Sequence, residues 1–177
     1  DINGRDNFSR LLYGGQVSLT IGFLALFISF PIGLIYGGIA GYLGGITDML
    51  MMRMAEAVMS IPSFYLLIIL AAILPSGMTS SQRFLLITVI LALIGWAGFS
   101  RVVRGMVLSI KTGDYVKAAR SIGASRARII LKHILPQTSS YVIIAITLSV
   151  PSYILAESGL SFLGLGIQQP DASWGNM

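Results

Sequence analysis

The chain has 177 residues, of which 55% are hydrophobic and only 11% charged, with a formal net charge of +5. Soluble domains carry about 25% charged residues, so this composition, with a mean hydropathy of +0.82, places the chain among membrane proteins. No cysteine is present, which excludes a disulfide, a thiolate metal site and a cysteine nucleophile. A basic balance also suits nucleic acid, but the uneven placement of the charges follows the positive-inside rule, and no nucleic-acid partner is expected.

The first residue is Asp1, with no basic n-region of a signal peptide behind it, and the last is Met177 in a polar, turn-like stretch. Both ends read as cuts through a longer protein. Four apolar spans are expected between them. The first, Val17 to Leu43, is long enough to cross a hydrocarbon core of about 30 Å with some tilt. It ends in Gly33, Gly37, Gly41 and Gly45, whose spacing of four lines one helix face and lets a neighbouring backbone approach closely. The second runs from Ala57 to Pro75, and Arg53 and Glu56, three apart, can pair just before it. The third, Phe84 to Ser100, extends helically through Arg104, with its basic side chains snorkelling. The fourth runs from Tyr141 to about Ala156.

Pro31, Pro62 and Pro151 lie inside the first, second and fourth spans and should bend them. Glu56, Glu157 and Arg53 are the polar candidates at membrane depth for a substrate or proton role. Local pairing near the span ends is the plainer alternative. No strand-like alternation competes, so the expected fold is all-α, a polytopic membrane helical bundle.

Eight of the twelve basic residues lie between Arg101 and Lys132, opposed there only by Asp114, which predicts a cytoplasmic loop between the third and fourth spans. Counting spans backwards puts the loop with Arg53 inside as well. The N-terminal segment, the loop from Ser76 to Arg83 and the C-terminal stretch then lie outside, with Arg5, Arg10 and Arg83 balanced by Asp1, Asp6 and Asp171.

No catalytic constellation is present. His133 stands alone, without a serine or carboxylate partner or a second metal ligand, so no metal site is expected. Leu12 to Gln16 bears a superficial likeness to the ABC ATPase signature, but it runs directly into the first span, and the chain has no phosphate-cradling loop ending in Lys and Ser/Thr. No ATP binding, cofactor or enzymatic activity is expected.

The segment Asp114 to Pro136 reads as a helix–turn–helix at the cytoplasmic surface. Asp114 suits an N-cap, and Tyr115, Ala118, Ala119 and Ile122 form an apolar stripe at i, i+3, i+4 and i+7. Gly123 suits the position after a helix end, Ser125 can cap the next helix, and Ala127, Ile130, Leu131 and Ile134 form its stripe. Such a pair of helices serves equally as an interfacial element on anionic lipid or as a docking knob for a cytoplasmic partner.

Lys117-Ala118-Ala119, then three residues, Gly123, nine residues, His133, one residue and Leu135-Pro136 resembles the EAA loop of ABC importer permeases, E-A-A-x3-G-x9-I-x-L-P. GYLGGITDMLMMRMAEAVMSIPSFYL, ILAESGLSFLGLGIQQPDASWG and GRDNFSRLLYGGQVSL are similar to the C-type permeases of the dipeptide/oligopeptide/nickel branch. The resemblance covers essentially the whole chain.

It implies that residues 1–177 are the permease core of a type I ABC importer, with the four spans as the second to fifth helices of six. It implies that the loop couples to a cytoplasmic ATPase, with Ala118, Ala119 and Gly123 at its turn and packing core, Lys117, Arg120, Arg126 and Arg128 toward the ATPase, and Ala124 among the coupling residues. The implied partners are a homologous permease subunit, two ABC ATPases, an extracytoplasmic binding protein and the bilayer of the inner membrane. Two positions depart from the pattern. Lys117 stands where the motif has Glu, and His133 replaces an apolar residue. The implied function is import, of di- or oligopeptides first, with nickel or another small solute as the alternative. A non-ABC secondary transporter would need ion-coupling residues at mid-membrane, and a passive anchor would not need glycine seams.

Overall fold

The computed structural model describes residues 6–73, 75, 78–167 and 171–177, and every element among them is helical. Asp1 and Arg5 of the predicted charge balance, and parts of the predicted outer loops, lie outside the described residues. In chain order the helices are α1 (Asn7–Leu43), α2 (Gly45–Met59), α3 (Ser63–Ala72), α4 (Ser80–Ile110), α5 (Asp114–Ser121), α6 (Arg126–Arg128) and α7 (Ser139–Phe162). Between α6 and α7 the chain stays helical through a wider π turn, Ile129–Ile134, and a tighter 3-10 turn, Leu135–Thr138. The cause is Pro136, which lacks an N–H and whose ring would clash with the carbonyl four residues back. The ladder shifts to i→i+5 there, with the Leu135 N–H donating to the Ile130 carbonyl.

Three helical stretches among the described residues are long and apolar enough to cross a membrane: Asn7–Leu43, Gln82–Ile110 and Arg126–Phe162. The first begins ten residues before the predicted start at Val17. Its cap explains this, because Asp6 accepts the N–H groups of Phe8 at 3.0 Å and Ser9 at 3.2 Å. The predicted second span is not one helix. Ile61 precedes Pro62, a placement that disfavours helical backbone, and α2 ends at Met59. The following α3, Ser63–Ala72, has 10 residues. At 1.5 Å per residue it is about 15 Å long, half of the roughly 30 Å hydrocarbon core.

The chain divides into two compact units. Unit 1 comprises Asp1–Ile28, Ile61–Leu93 and Leu148–Met177. Its core contains Ile21, Leu26, Ile87, Leu91, Tyr153 and Leu160, together with the buried polar side chains of Ser18, Glu157, Ser161 and Ser173. Unit 2 comprises Ser29–Ser60 and Ile94–Thr147, with Phe30, Phe99, Val103, Val107, Val116, Ile129 and Ile134 inside.

Within unit 2 the glycine seam is specific in extent. A Cβ on Gly33 would lie 2.8 Å from the Trp96 carbonyl oxygen, and one on Gly41 2.9 Å from that of Arg104. At Gly37 it would meet the Ser100 carbonyl oxygen. The backbones of α1 and α4 therefore touch over three successive turns. Gly45 does not belong to this seam. It has nothing within 4 Å and a φ of +57°, and with Gly44 at +67° it makes the turn between α1 and α2. The ring of Phe99 packs on Phe30 with centroids 4.3 Å apart, and Tyr36 meets Trp96 edge-on at 4.7 Å.

Candidate functional site

The predicted loop in unit 2 is built by two caps and one left-handed glycine. Gly113, in extended backbone, takes the N-cap position of α5, and its carbonyl accepts from the N–H of both Val116 and Lys117. Asp114 is thus the first helical residue, one place later than expected. Its carboxylate instead accepts from Lys117 Nζ at 2.9 Å, an exposed i,i+3 pair. Lys117 therefore has a local partner within its own helix.

At the other end of α5, Gly123 has a φ of +81°. Its N–H donates to the Arg120 carbonyl at 3.0 Å, and that of Ala124 donates to the Ala119 carbonyl at 3.1 Å. These two bonds are the Schellman arrangement that ends a helix at a left-handed residue. Ser125 then caps the next turn, accepting the Arg128 N–H at 3.3 Å.

The buried face of the loop differs from the predicted stripes. In α5 it is Val116 and Ala119 that are buried; Ala118 is exposed, as are Tyr115 at 46% and Ile122 at 86%. In the following segment Ile129, Ile130, Ile134 and Leu135 are buried, whereas Ala127 and Leu131 are exposed. The π turn, which changes the helical repeat, moves the buried positions off a regular 3.6-residue spacing. Tyr115 and Ile122 are exposed, as are Lys117, Arg126 and Arg128.

Arg120 is partly held back from that outer face. Its guanidinium carbon lies 5.6 Å from the centre of the Tyr42 ring, and Nη2 donates to the Tyr42 hydroxyl at 3.3 Å. Tyr42, Arg120, Ala124, Arg126 and Ile129 line a cleft of about 430 Å³. Lys111 Nζ reaches the Gly41 carbonyl at 2.7 Å and ties the start of the loop to α1. Arg104 grips Asp48 through two nitrogens, with Nε 3.0 Å from Oδ1. Sequence reasoning missed Tyr42, Asp48 and Lys111. Their partners lie 56 to 78 residues away, and no local spacing announces them.

The polar candidates at membrane depth separate. Arg53, largely exposed, and Glu56, half-buried, face each other at 3.4 Å on α2 as a local pair. Glu157 is fully buried in unit 1. Its Oε2 accepts from Ser18 Oγ at 2.8 Å and its Oε1 from Ser161 Oγ at 2.7 Å. Each serine passes the connection on. Ser18 Oγ accepts the Trp174 N–H, and Ser161 Oγ accepts the Ile167 N–H, both at 3.1 Å. The carboxylate, which can only accept, keeps both hydroxyls as donors and leaves their lone pairs for the chain that follows α7.

Comparison with known proteins agrees with this architecture. The family model described as "Binding-protein-dependent transport system inner membrane component" matches residues 18–177. The chain is 48% identical over 174 residues to the dipeptide transport system permease protein DppC of Bacillus subtilis, covering 98% of this chain and 52% of the relative. It is 46% identical to the oligopeptide transport system permease protein OppC of Haemophilus influenzae, covering 99% of this chain and 54% of the relative. It is 40% identical to OppC of Bacillus subtilis, with 98% and 55% covered. The chain thus spans about half the length of these relatives. An apolar helical bundle, the match over residues 18–177 and these identities make the chain a multi-pass membrane protein belonging to the family of inner membrane components of binding-protein-dependent transport systems.

Proposed function

We propose that the chain is the core of a permease subunit in an ATP-driven peptide importer, and that the loop 114–136 is where ATPase motion enters the membrane domain. The observation that carries this reading is the loop's outer face. Ile122, 86% exposed next to the Gly123 turn, and Tyr115 are exposed on the same loop as the exposed cations Lys117, Arg126 and Arg128. An apolar tip ringed by charge suits a protein cleft, where burial supplies affinity and the charges steer approach. The surface-pairing of Lys117 with Asp114 keeps that cation at the rim, and Ala119 anchors the helix from below. The relatives' names, dipeptide and oligopeptide transport system permeases, supply the substrate class.

Topology supports the same reading. The segments expected outside, the N-terminal stretch, the loop before Arg83 and the C-terminal stretch, all fall in unit 1. Both loops expected inside fall in unit 2. In a subunit that works by alternating access, Glu157 and its serines then share a unit with the segments expected outside, and Asp48, Arg104 and the coupling loop share one with the loops expected inside. A homologous permease would complete the pathway, two ATPases would dock from the cytoplasm, and a binding protein would deliver peptide outside. The test is reconstitution of the full-length protein with its partner permease, ATPases and binding protein in liposomes. ATP-dependent accumulation of labelled peptide is expected. Uptake that needs no ATP and no ATPase subunit would overturn the proposal.

A further inference from the structure

Unit 1 contains a cavity of about 770 Å³ that no part of the reading above uses. Its size falls in the range of small-ligand sites, about 300–1,000 Å³. Tyr13 from α1, Phe84 and Leu85 from α4 and Ile167 from the segment after α7 give it apolar walls. Arg10 and Asp171 also line it. Among the described residues neither of these side chains forms an ion pair, although both face one cavity and carry opposite charge.

The wall carrying Asp171 is fixed from behind. Ile167 donates its N–H to Ser161 Oγ, Trp174 donates its N–H to Ser18 Oγ, and both serines end on the buried Glu157. Asn176 Nδ2 adds bonds to the carbonyls of Ile167 at 3.0 Å and Asp171 at 2.8 Å. The Trp174 indole N–H reaches back to the Leu11 carbonyl at 3.1 Å, on the helix that supplies Arg10 and Tyr13. Asn176 thus ties Ile167 to Asp171, and Trp174 ties this segment to the helix that carries Arg10 and Tyr13.

We infer that this cavity binds a short peptide with free ends, its carboxylate toward Arg10, its ammonium toward Asp171 and its side chains on the apolar walls. The inference rests on the importer reading and adds a site to it, in the unit that holds the segments expected outside. Two opposite charges with no ion pair among the described residues, on one cavity with apolar walls, match a zwitterion and mismatch a ligand of single charge. Arg10 presents the planar fork suited to a carboxylate. Glu157 is a positioning residue here, acting through Ser18 and Ser161.

The experiment uses the full-length protein in its assembled complex, with Gln16→Cys in the cavity lining as the single reactive thiol. Labelling by a membrane-impermeant maleimide is timed with trialanine present, and with the acetylated, amidated form of the same peptide. Trialanine is expected to slow labelling and the blocked peptide to leave it unchanged. Arg10→Gln or Asp171→Asn should raise the trialanine concentration needed by about tenfold, the scale of one lost charge-assisted contact. Equal protection by both peptides, or none by either, overturns the site. If trialanine fails to protect while ATP-driven uptake persists, the importer reading stands and this cavity is not its peptide site. Glu157→Gln should weaken protection and also speed hydrogen exchange at the Trp174 amide, which donates to Ser18 Oγ. Unchanged protection alongside faster exchange would remove Glu157 from the positioning role.

Discussion

Ser18 and Glu157, 139 residues apart, meet through a 2.8 Å hydrogen bond in which the hydroxyl donates to a fully buried carboxylate. The bond joins α1 to α7 within unit 1, and the Trp174 N–H completes it from the C-terminal side. Replacing Glu157 by Ala would leave two buried hydroxyls without their acceptor and open a void. The expected cost is about 2–4 kcal/mol in thermal unfolding of the detergent-solubilised protein. Glu157→Gln keeps the shape and should cost less. The double change Ser18→Ala with Glu157→Gln should cost less than the sum of the two singles, since both remove one bond. Strict additivity would show that the two side chains are not coupled.

The glycine seam should be sharply graded. Gly37→Ala sets a methyl against the Ser100 carbonyl oxygen, so α1 and α4 must separate. Gly45→Ala meets no atom and carries only the cost of its φ of +57°, about 1–2 kcal/mol. Comparing folded yield and melting temperature of the two variants checks this. Equal loss would remove the distinction between packing glycine and turn glycine.

Asp48 is buried with 13% of its side chain exposed, and its partner Arg104 is partly so at 35%. Removing either charge alone strands the other, so Asp48→Asn and Arg104→Met should each destabilise by about 1–3 kcal/mol after allowance for solvent screening. The double variant should recover part of the loss. A double variant as unstable as the sum would argue against a direct pair.

Two changes in the loop should part stability from coupling. Ile122→Asp alters an exposed side chain, so folding should hardly change, within about 0.5 kcal/mol, while co-purification of the ATPases and transport fall. Gly123→Val forces a β-branched residue to a φ of +81° and should spoil the turn itself, again with insertion retained and ATPase association lost. Normal association in both variants would sink the docking role.

Asp6 offers a pH test. Its hydrogen bonds from the Ser9 hydroxyl and from the Phe8 and Ser9 N–H groups hold its carboxyl below the usual carboxylate range. A carboxyl with a lowered folded value stabilises above its unfolded value. That contribution is lost as pH falls through the folded one. Fraying of the first turn of α1 should therefore appear on acidification, read by hydrogen exchange. Asp6→Asn should flatten that dependence.

The sequence carried the membrane class, the basic loop and most of the seam, because each is written in local composition or helical spacing. Gly33, Gly37 and Gly41 were legible as a seam for that reason. Gly45 kept the same spacing but fell beyond the helix end, which Gly44 sets through its own backbone angle. Pro62 was legible as a bend in the second span, but the full break into α2 and α3 was not, because Ala57 to Pro75 is continuous in hydropathy. The α5 stripe was misplaced because that octet carries apolar residues on two faces. Tertiary neighbours chose Val116 over Tyr115. Glu157 was visible as a rare acid, but one of its two serine partners, Ser18, lies 139 residues away.

The Schellman turn at Gly123 has a thermodynamic consequence for assembly. Two backbone bonds, a serine cap and the Tyr42–Arg120 stack fix the loop in the free subunit. A partner that closes around Ile122 then has little chain to freeze, and the entropy of ordering falls on the subunit's own folding instead of on docking. Such a tip arrives in finished shape, so its residence time follows from how tightly the receiving cleft fits it.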